Sequence, residues 1–165
     1  MPDEALESVI GKPVSKSRVI VERGPVTNFA FAVCSTDTVY IDSEVAAEAG
    51  FPAIPAPPTY PFVMSTWGAF PEIQPEDHPE GNPVGEVLDP LIQKGGMILH
   101  GEQEFLYHRP VFVGDVLVGE GTVVDAYRKE SKGRTMTFVV TETVWKDDAT
   151  GEPVVSTRLN FMHRI

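Results

Sequence analysis

With 165 residues, 42% hydrophobic and 22% charged, the chain has the balance of one folded domain spanning 1–165 rather than of a disordered segment. A formal net charge of −11 repels nucleic-acid phosphates over a Debye length of about 8–10 Å, which excludes nucleic acid as a partner. The lone cysteine, Cys34, excludes an internal disulfide framework and fits a reducing compartment.

The opening MPDEALESVIGK is acidic and carries no basic stretch followed by an apolar run. No apolar segment is long enough to span a bilayer, so a cytoplasmic protein without membrane contact is expected. Residues 3–10 predict a short helix with Asp3 as N-cap, Leu6, Val9 and Ile10 on one face, and Gly11 as its stop. A strand is expected over 17–22. Pro25 then opens a helix in which Val26, Phe29, Ala30 and Val33 recur at helical spacing. It ends near Cys34, which reads as an inert core thiol.

Asp37 to Tyr40 link this helix to another over 44–49, capped by Asp42 or Ser43 and closed by Gly50. Pro52, Pro55, Pro57 and Pro58 hold the next stretch extended. Beyond Thr59, the residues Phe62, Val63, Met64 and Trp67 predict one apolar helix, central and buried, with Pro61 in its first turn. These side chains, with Phe70, would line an acyl tunnel or form plain core. The acidic, Pro- and Gly-rich stretch 70–95 predicts a covering loop with one short helix near 89–93.

The second half reads as strands. The stretch 97–115 sets His100, Gly101, Glu102 and Gln103 in an apolar frame, where buried polar groups must find partners or serve a ligand. Residues 116–127 are β-branched, with Gly119 and Gly121 marking a bulge or a close approach. A turn at Ser131-Lys132-Gly133 leads to strict period-2 alternation over 135–145, then a turn over 147–151 and a closing strand over 154–162. Helices first and at least four antiparallel strands after describe an α+β fold, a sheet wrapped around one apolar helix.

On a strand, His100 and Glu102 share a face, so they form either a ligand-contacting pair or a structural pair at the helix or at a dimer seam. His108 reads as a surface or edge residue. No histidine has metal-like spacing to other ligands, and neither a metal nor a cofactor is expected. Lys94, Arg109, Arg128, Lys129, Lys132, Arg134 and Arg164 either form a basic patch or are ordinary solvated charges.

The run Leu99-His100-Gly101-Glu102-Gln103, Phe105, His108-Arg109-Pro110-Val111 and Gly114-Asp115, preceded by Ala49-Gly50-Phe51-Pro52-Ala53, Ala56-Pro57 and Thr59, resembles the hot-dog fold. Within it, the resemblance is to the MaoC-like dehydratases, in particular the fatty-acid-synthase-like branch that holds small actinobacterial (3R)-hydroxyacyl-ACP dehydratase subunits. It implies an (R)-specific enoyl-thioester hydratase or (3R)-hydroxyacyl-thioester dehydratase acting on acyl-CoA or acyl carrier protein. It also implies a homodimer, or a heterodimer with a catalytic MaoC-type chain. The family's Asp-x-Asn-Pro-x-His motif positions a water and moves its proton. Here Ser35 stands for the Asp, Asp37 for the Asn, Thr38 for the Pro and Tyr40 for the His. Pro58 falls where a glycine N–H is expected. A partner chain is therefore expected to supply the Asp/His pair, the alternative being a non-catalytic thioester-binding or regulatory module. The candidate catalytic residues are Asp37, Tyr40 and His100. The candidate substrate-binding residues are Thr59, Phe62, Trp67, Gly101, Glu102 and Gln103.

Overall fold

Alternation of period two is the strongest pattern in the chain, and it produces the longest elements. In the computed structural model, which describes residues 4–131 and 133–165, the strands are β1 (Pro13–Ile20), β2 (Met97–Tyr107), β3 (Val116–Ser131), β4 (Arg134–Asp147) and β5 (Pro153–Arg164). They form one antiparallel sheet in the order β1-β3-β4-β5-β2. β1 and β2 are its edges. Bulges fall between Val123 and Asp125 in β3 and between His100 and Gln103 in β2. The helices are α1 (Glu4–Glu7), α2 (Arg23–Ala32), α3 (Ser43–Glu48), α4 (Met64–Trp67) and α5 (Pro83–Ile92), with 3₁₀ turns at Thr38–Tyr40, Tyr60–Phe62 and Pro71–Ile73.

The expected α+β hot-dog architecture is observed, with two apolar cores packed on the sheet. One core joins Val26 and Phe29 of α2, Ala46 of α3, Tyr60 and Met64 to Trp145 of β4. A second packs Leu6 and Val9 with Val87 and Leu88 of α5 against Val123 and Val139. The predicted central helix is reduced to a 3₁₀ turn and the four residues of α4. Pro61 stands inside the 3₁₀ turn and offers no N–H to a helical ladder, and regular helix starts only after Val63. It ends at Gly68, where only glycine fits because a Cβ would lie on the Ile20 carbonyl. Tyr60 and Met64 are fully buried, whereas Phe62 and Trp67 are 47% and 39% exposed, contrary to a helix buried on all sides.

The covering loop is likewise more ordered than its composition implies. The helix expected near 89–93 is the ten-residue α5, beginning at Pro83 with Asn82 as N-cap, whose side chain accepts from the Gly85 N–H at 3.0 Å. Gly85 and Pro90 inside it read as breakers, but its apolar face has the second core to bury against and tertiary packing overrides them. Ile10 and Val33 are exposed, and so is Cys34, which is no core thiol. Cys34 has φ 55° and takes the left-handed position after α2, where Cys34 N–H and Ser35 N–H donate to Phe31 and Ala30 carbonyls. Asp42 caps α3 through Glu44 N–H and Val45 N–H. The assigned N-cap Asp3 and the turn residue Lys132 lie outside the described residues.

Candidate functional site

Where β2 ends, the 35–40 segment and the proline-rich run approach it, leaving a cavity of about 610 Å³, a size that suits a small organic ligand. Its wall is mainly apolar, from Val39, Val45, Ala49, Phe51, Pro55 and Ala56, with Asp37, Tyr40, Tyr107 and His108 as polar members. Asp37 is held by the chain itself. Its carboxylate accepts from Val39 N–H at 3.0 Å and its own N–H donates to Ser35 Oγ at 3.3 Å. A short acidic side chain that reaches back to an N–H two residues on nucleates the 3₁₀ turn that presents Tyr40. Two of the four positions of the expected Asp-x-Asn-Pro-x-His window thus serve local capping.

Tyr107 closes the opposite wall. Its hydroxyl donates to the Pro58 carbonyl at 2.8 Å. Burial, reinforced by the neighbouring Tyr40 phenol, pushes Tyr107 well above the ordinary tyrosine range. It therefore stays a neutral donor at physiological pH. Pro58 has no N–H to offer a developing oxyanion, and its carbonyl is already engaged.

Arg109 also borders the cavity, but its charge is committed. It donates to Asp115 at 2.7 and 3.3 Å and to Asp147 Oδ2 at 3.1 Å. Asp115 further accepts from Phe112 N–H. Asp147 accepts from Ala149 and Thr150 N–H groups, and these backbone donors, Thr150 foremost, hold its carboxyl below the usual range. The His-Arg-Pro and Gly-Asp elements of the sequence therefore clamp the ends of β2, β3 and β4 together. Of the other cations, Lys129 lies over the stacked Tyr127 and Phe138 rings and Arg128 donates to Thr137. Neither borders the cavity.

The remaining candidates lie elsewhere. His100, Gly101 and Glu102 are exposed on edge strand β2, and Gln103 is half-buried, so the polar group expected inside an apolar frame sits on the sheet margin. His100 contacts Phe62, ring centroids 5.4 Å apart. Trp67 packs edge-on against Phe29, and Thr59 is exposed without a side-chain cap bond. Glu102 and Gln103 border a separate hollow. The structure brings together Asp37 and Tyr40 but not His100. Reading the sequence alone passed over Tyr107 and Phe51 as wall residues; the Phe105, Tyr107 alternation is the signal that identifies Tyr107 as inward-facing. Among the described residues, no group of three or more His, Cys, Asp or Glu could hold a metal, and no helix is long and apolar enough to cross a membrane.

An antiparallel five-stranded sheet in this order with helical segments packed on it is the hot-dog architecture. Residues 8–157 match the family described as "FAS1-like, dehydratase domain region", and the chain belongs to that family. A UPF0336 protein of Thermobifida fusca is 33% identical over 107 residues, 64% of this chain and 60% of its own length. Another, from Saccharopolyspora erythraea, is 29% identical over 145 residues, 87% of this chain and 81% of that one. Against the Thermobifida fusca and Tropheryma whipplei relatives the match spans only 60% and 54% of their length. Among solved structures, the ChsH1-ChsH2 complex from Mycobacterium tuberculosis superposes with TM-score 0.70 and 22% identity, covering 96% of this chain and 88% of that one. The HadBC (3R-hydroxyacyl-ACP dehydratase) complex from the same organism gives 0.68 and 22%, covering 93% and 96%. At that identity these likenesses establish the fold.

Proposed function

We propose that this chain is the acyl-binding subunit of an (R)-specific enoyl-thioester hydratase or (3R)-hydroxyacyl-thioester dehydratase, a single hot-dog domain whose partner chain supplies the Asp/His pair. The observation that carries the reading is the cavity beside Tyr40. It keeps an apolar wall fit for an acyl chain, yet Asp37 is spent on capping and Tyr40 stands where a histidine would act. Addition of water to an enoyl thioester needs a base near neutral pH and a donor for the enolate oxygen. A tyrosine of ordinary pKa about 10 is a poor base, and Pro58 provides no N–H. Membership of the dehydratase family and likeness to two two-chain complexes, one of them named a (3R)-hydroxyacyl-ACP dehydratase, support an acyl thioester substrate and a MaoC-type partner.

The test is to mix the purified chain with a MaoC-type chain that carries the intact motif and follow hydration of crotonyl-CoA. A rate well above that of the partner alone is expected, and no gain counts against the proposal. Tight acyl-CoA binding with no turnover under any pairing would favour a regulatory module instead. A second reading is favoured by one observation: His108 shares the cavity with Asp37. In that case the unmixed chain would hydrate crotonyl-CoA and His108→Ala would abolish the activity.

A further inference from the structure

β1 is an edge strand, paired with β3 on one side and with no described strand on the other. Unpaired edge groups are a template for a further strand, yet in the middle of β1 they are taken. The chain leaves α4 at Gly68 and rejoins the helices at Asn82, the N-cap of α5. Between these points it meets β1 three times. The Gly68 carbonyl accepts from the Ile20 N–H at 2.9 Å, the Gln74 side chain bonds Arg18, and Asp77 accepts from Lys16 Nζ at 2.6 Å. At Arg18 the Gln74 carboxamide makes both bonds of a neighbouring strand. Its Oε1 accepts from the Arg18 N–H at 3.2 Å and its Nε2 donates to the Arg18 carbonyl at 2.9 Å. The same Nε2 donates to the Phe70 carbonyl at 2.9 Å. A primary carboxamide carries the donor and acceptor of a peptide unit, so it can stand in for one.

We propose that residues 69–81 form a strap that lifts from β1 as a unit while the sheet stays folded, with Gln74 as its latch and Gly68 as its fixed end. No residue from 71 to 81 is buried, and none belongs to either core. Among the described residues, this stretch reaches other elements by hydrogen bond or ion pair only through Gln74 and Asp77. The Asp77 side chain is 73% exposed, and an ion pair so placed contributes little. Gln74 is half-buried, and as a side chain it can let go by a change of rotamer without breaking a backbone ladder. β1, by contrast, is held by β3 along its length. A segment with few buried contacts opens at a smaller free energy than the fold as a whole. Seated, the strap fills the bonding positions at Arg18 that an added strand would use; lifted, it leaves the middle of β1 open to strand addition.

Native-state hydrogen exchange of the full chain, read amide by amide by NMR, tests the proposal. In the wild type the Arg18 amide should exchange faster than those of Ile20 and Val21, which donate to the Gly68 and Asp115 carbonyls. Gln74→Met keeps the length of the side chain and removes both bonding groups. It should speed Arg18 exchange about tenfold or more, the ratio given by two lost hydrogen bonds of ordinary net strength, and leave Ile20 and Val21 unchanged. Gln74→Ala should do the same, which shows that bonding and not the packing of a methionine stem is read. Asp77→Asn, which removes the exposed ion pair, should change Arg18 exchange by less than about threefold. Arg18 as slow as Val21 in the wild type, or unmoved by Gln74→Met, overturns the proposal. So does equal acceleration of Arg18, Ile20 and Val21, or a larger effect from Asp77→Asn than from Gln74→Met. The measurement involves no thioester and no second chain, so its outcome bears on the strap alone.

Discussion

Replacing Gly119 with alanine tests how tightly the core behind the cavity is built. Gly119 faces Trp145 across the β3–β4 ladder, and Trp145 is 4% exposed. A Cβ added at Gly119 would lie 2.6, 2.7 and 2.8 Å from Cε3, Cζ3 and Cδ2 of the indole. Carbon atoms prefer about 3.5–4.0 Å, so the ring must retreat by roughly 0.9 Å or the strand must yield. Three fused-ring atoms are struck together, and a rigid indole cannot relieve them by a small rotation. Overpacking of this kind costs about 1–3 kcal/mol. Against it stands the gain of about 0.5–1 kcal/mol from removing glycine from a strand interior. A net loss of about 1–2 kcal/mol is expected, which lowers Tm by roughly 2–8 °C for a chain of this length. Thermal and urea melts followed by circular dichroism measure it, with the urea m-value unchanged. In a Trp145→Phe background the same change should cost less, because the smaller ring leaves room. Equal or raised stability of Gly119→Ala with Trp145 in place would refute the packing argument and leave backbone entropy as the deciding effect.

Other expectations concern single groups. Cys34→Gly relieves the left-handed φ of 55° and should raise stability by about 0.5–1 kcal/mol, or roughly 1–4 °C, whereas Cys34→Val should lower it. Tyr107→Phe leaves the Pro58 carbonyl without its donor and should cost about 1 kcal/mol; an unchanged melting temperature would mean that this bond does not hold the cavity wall. Tyr60 is fully buried and its hydroxyl has no partner among the described residues, so Tyr60→Phe should be neutral or stabilising. Burial, then the charge of Glu22, pushes the Tyr60 phenol up to about 12. The unfolded chain ionises near pH 10, so the stabilisation is complete below that pH and is lost as pH rises toward 12. Urea midpoints in alkali should fall through that window in the wild type and less steeply in Tyr60→Phe.

The strands were legible because a buried face forces alternation. Thr135, Thr137, Val139 and Thr141 against Met136, Phe138, Val140 and Glu142 leave few other arrangements. The cap at Asp42 and the stop at Gly50 were legible because each answers a local hydrogen-bond or φ requirement. What escaped depended on contacts distant in sequence. α5 carries its start signal in Asn82-Pro83, yet Gly85 and Pro90 argue against a helix until Leu88 and Val87 have Leu6 and Val9 to pack on. The helix expected over 62–67 is shorter and more exposed than its apolar composition implies, because composition alone does not set burial and Pro61 interrupts regular helix, leaving Phe62 and Trp67 outward. At the site, the lack of a histidine in the 35–40 window could be read directly. That His100 lies on an exposed margin, apart from Tyr40, could not, since it depends on β2 being the edge of the sheet.

Fold and chemistry separate in this chain for a physical reason. The cavity is held by the Tyr107 to Pro58 bond and by the Arg109, Asp115 and Asp147 clamp, and none of those residues lies in the motif window. The window itself needs only a side chain that can cap a 3₁₀ turn, a requirement Asp37 meets without any basic function. Absence of water-handling groups from 35–40 therefore carries little penalty in stability, and the apolar cavity stands without them.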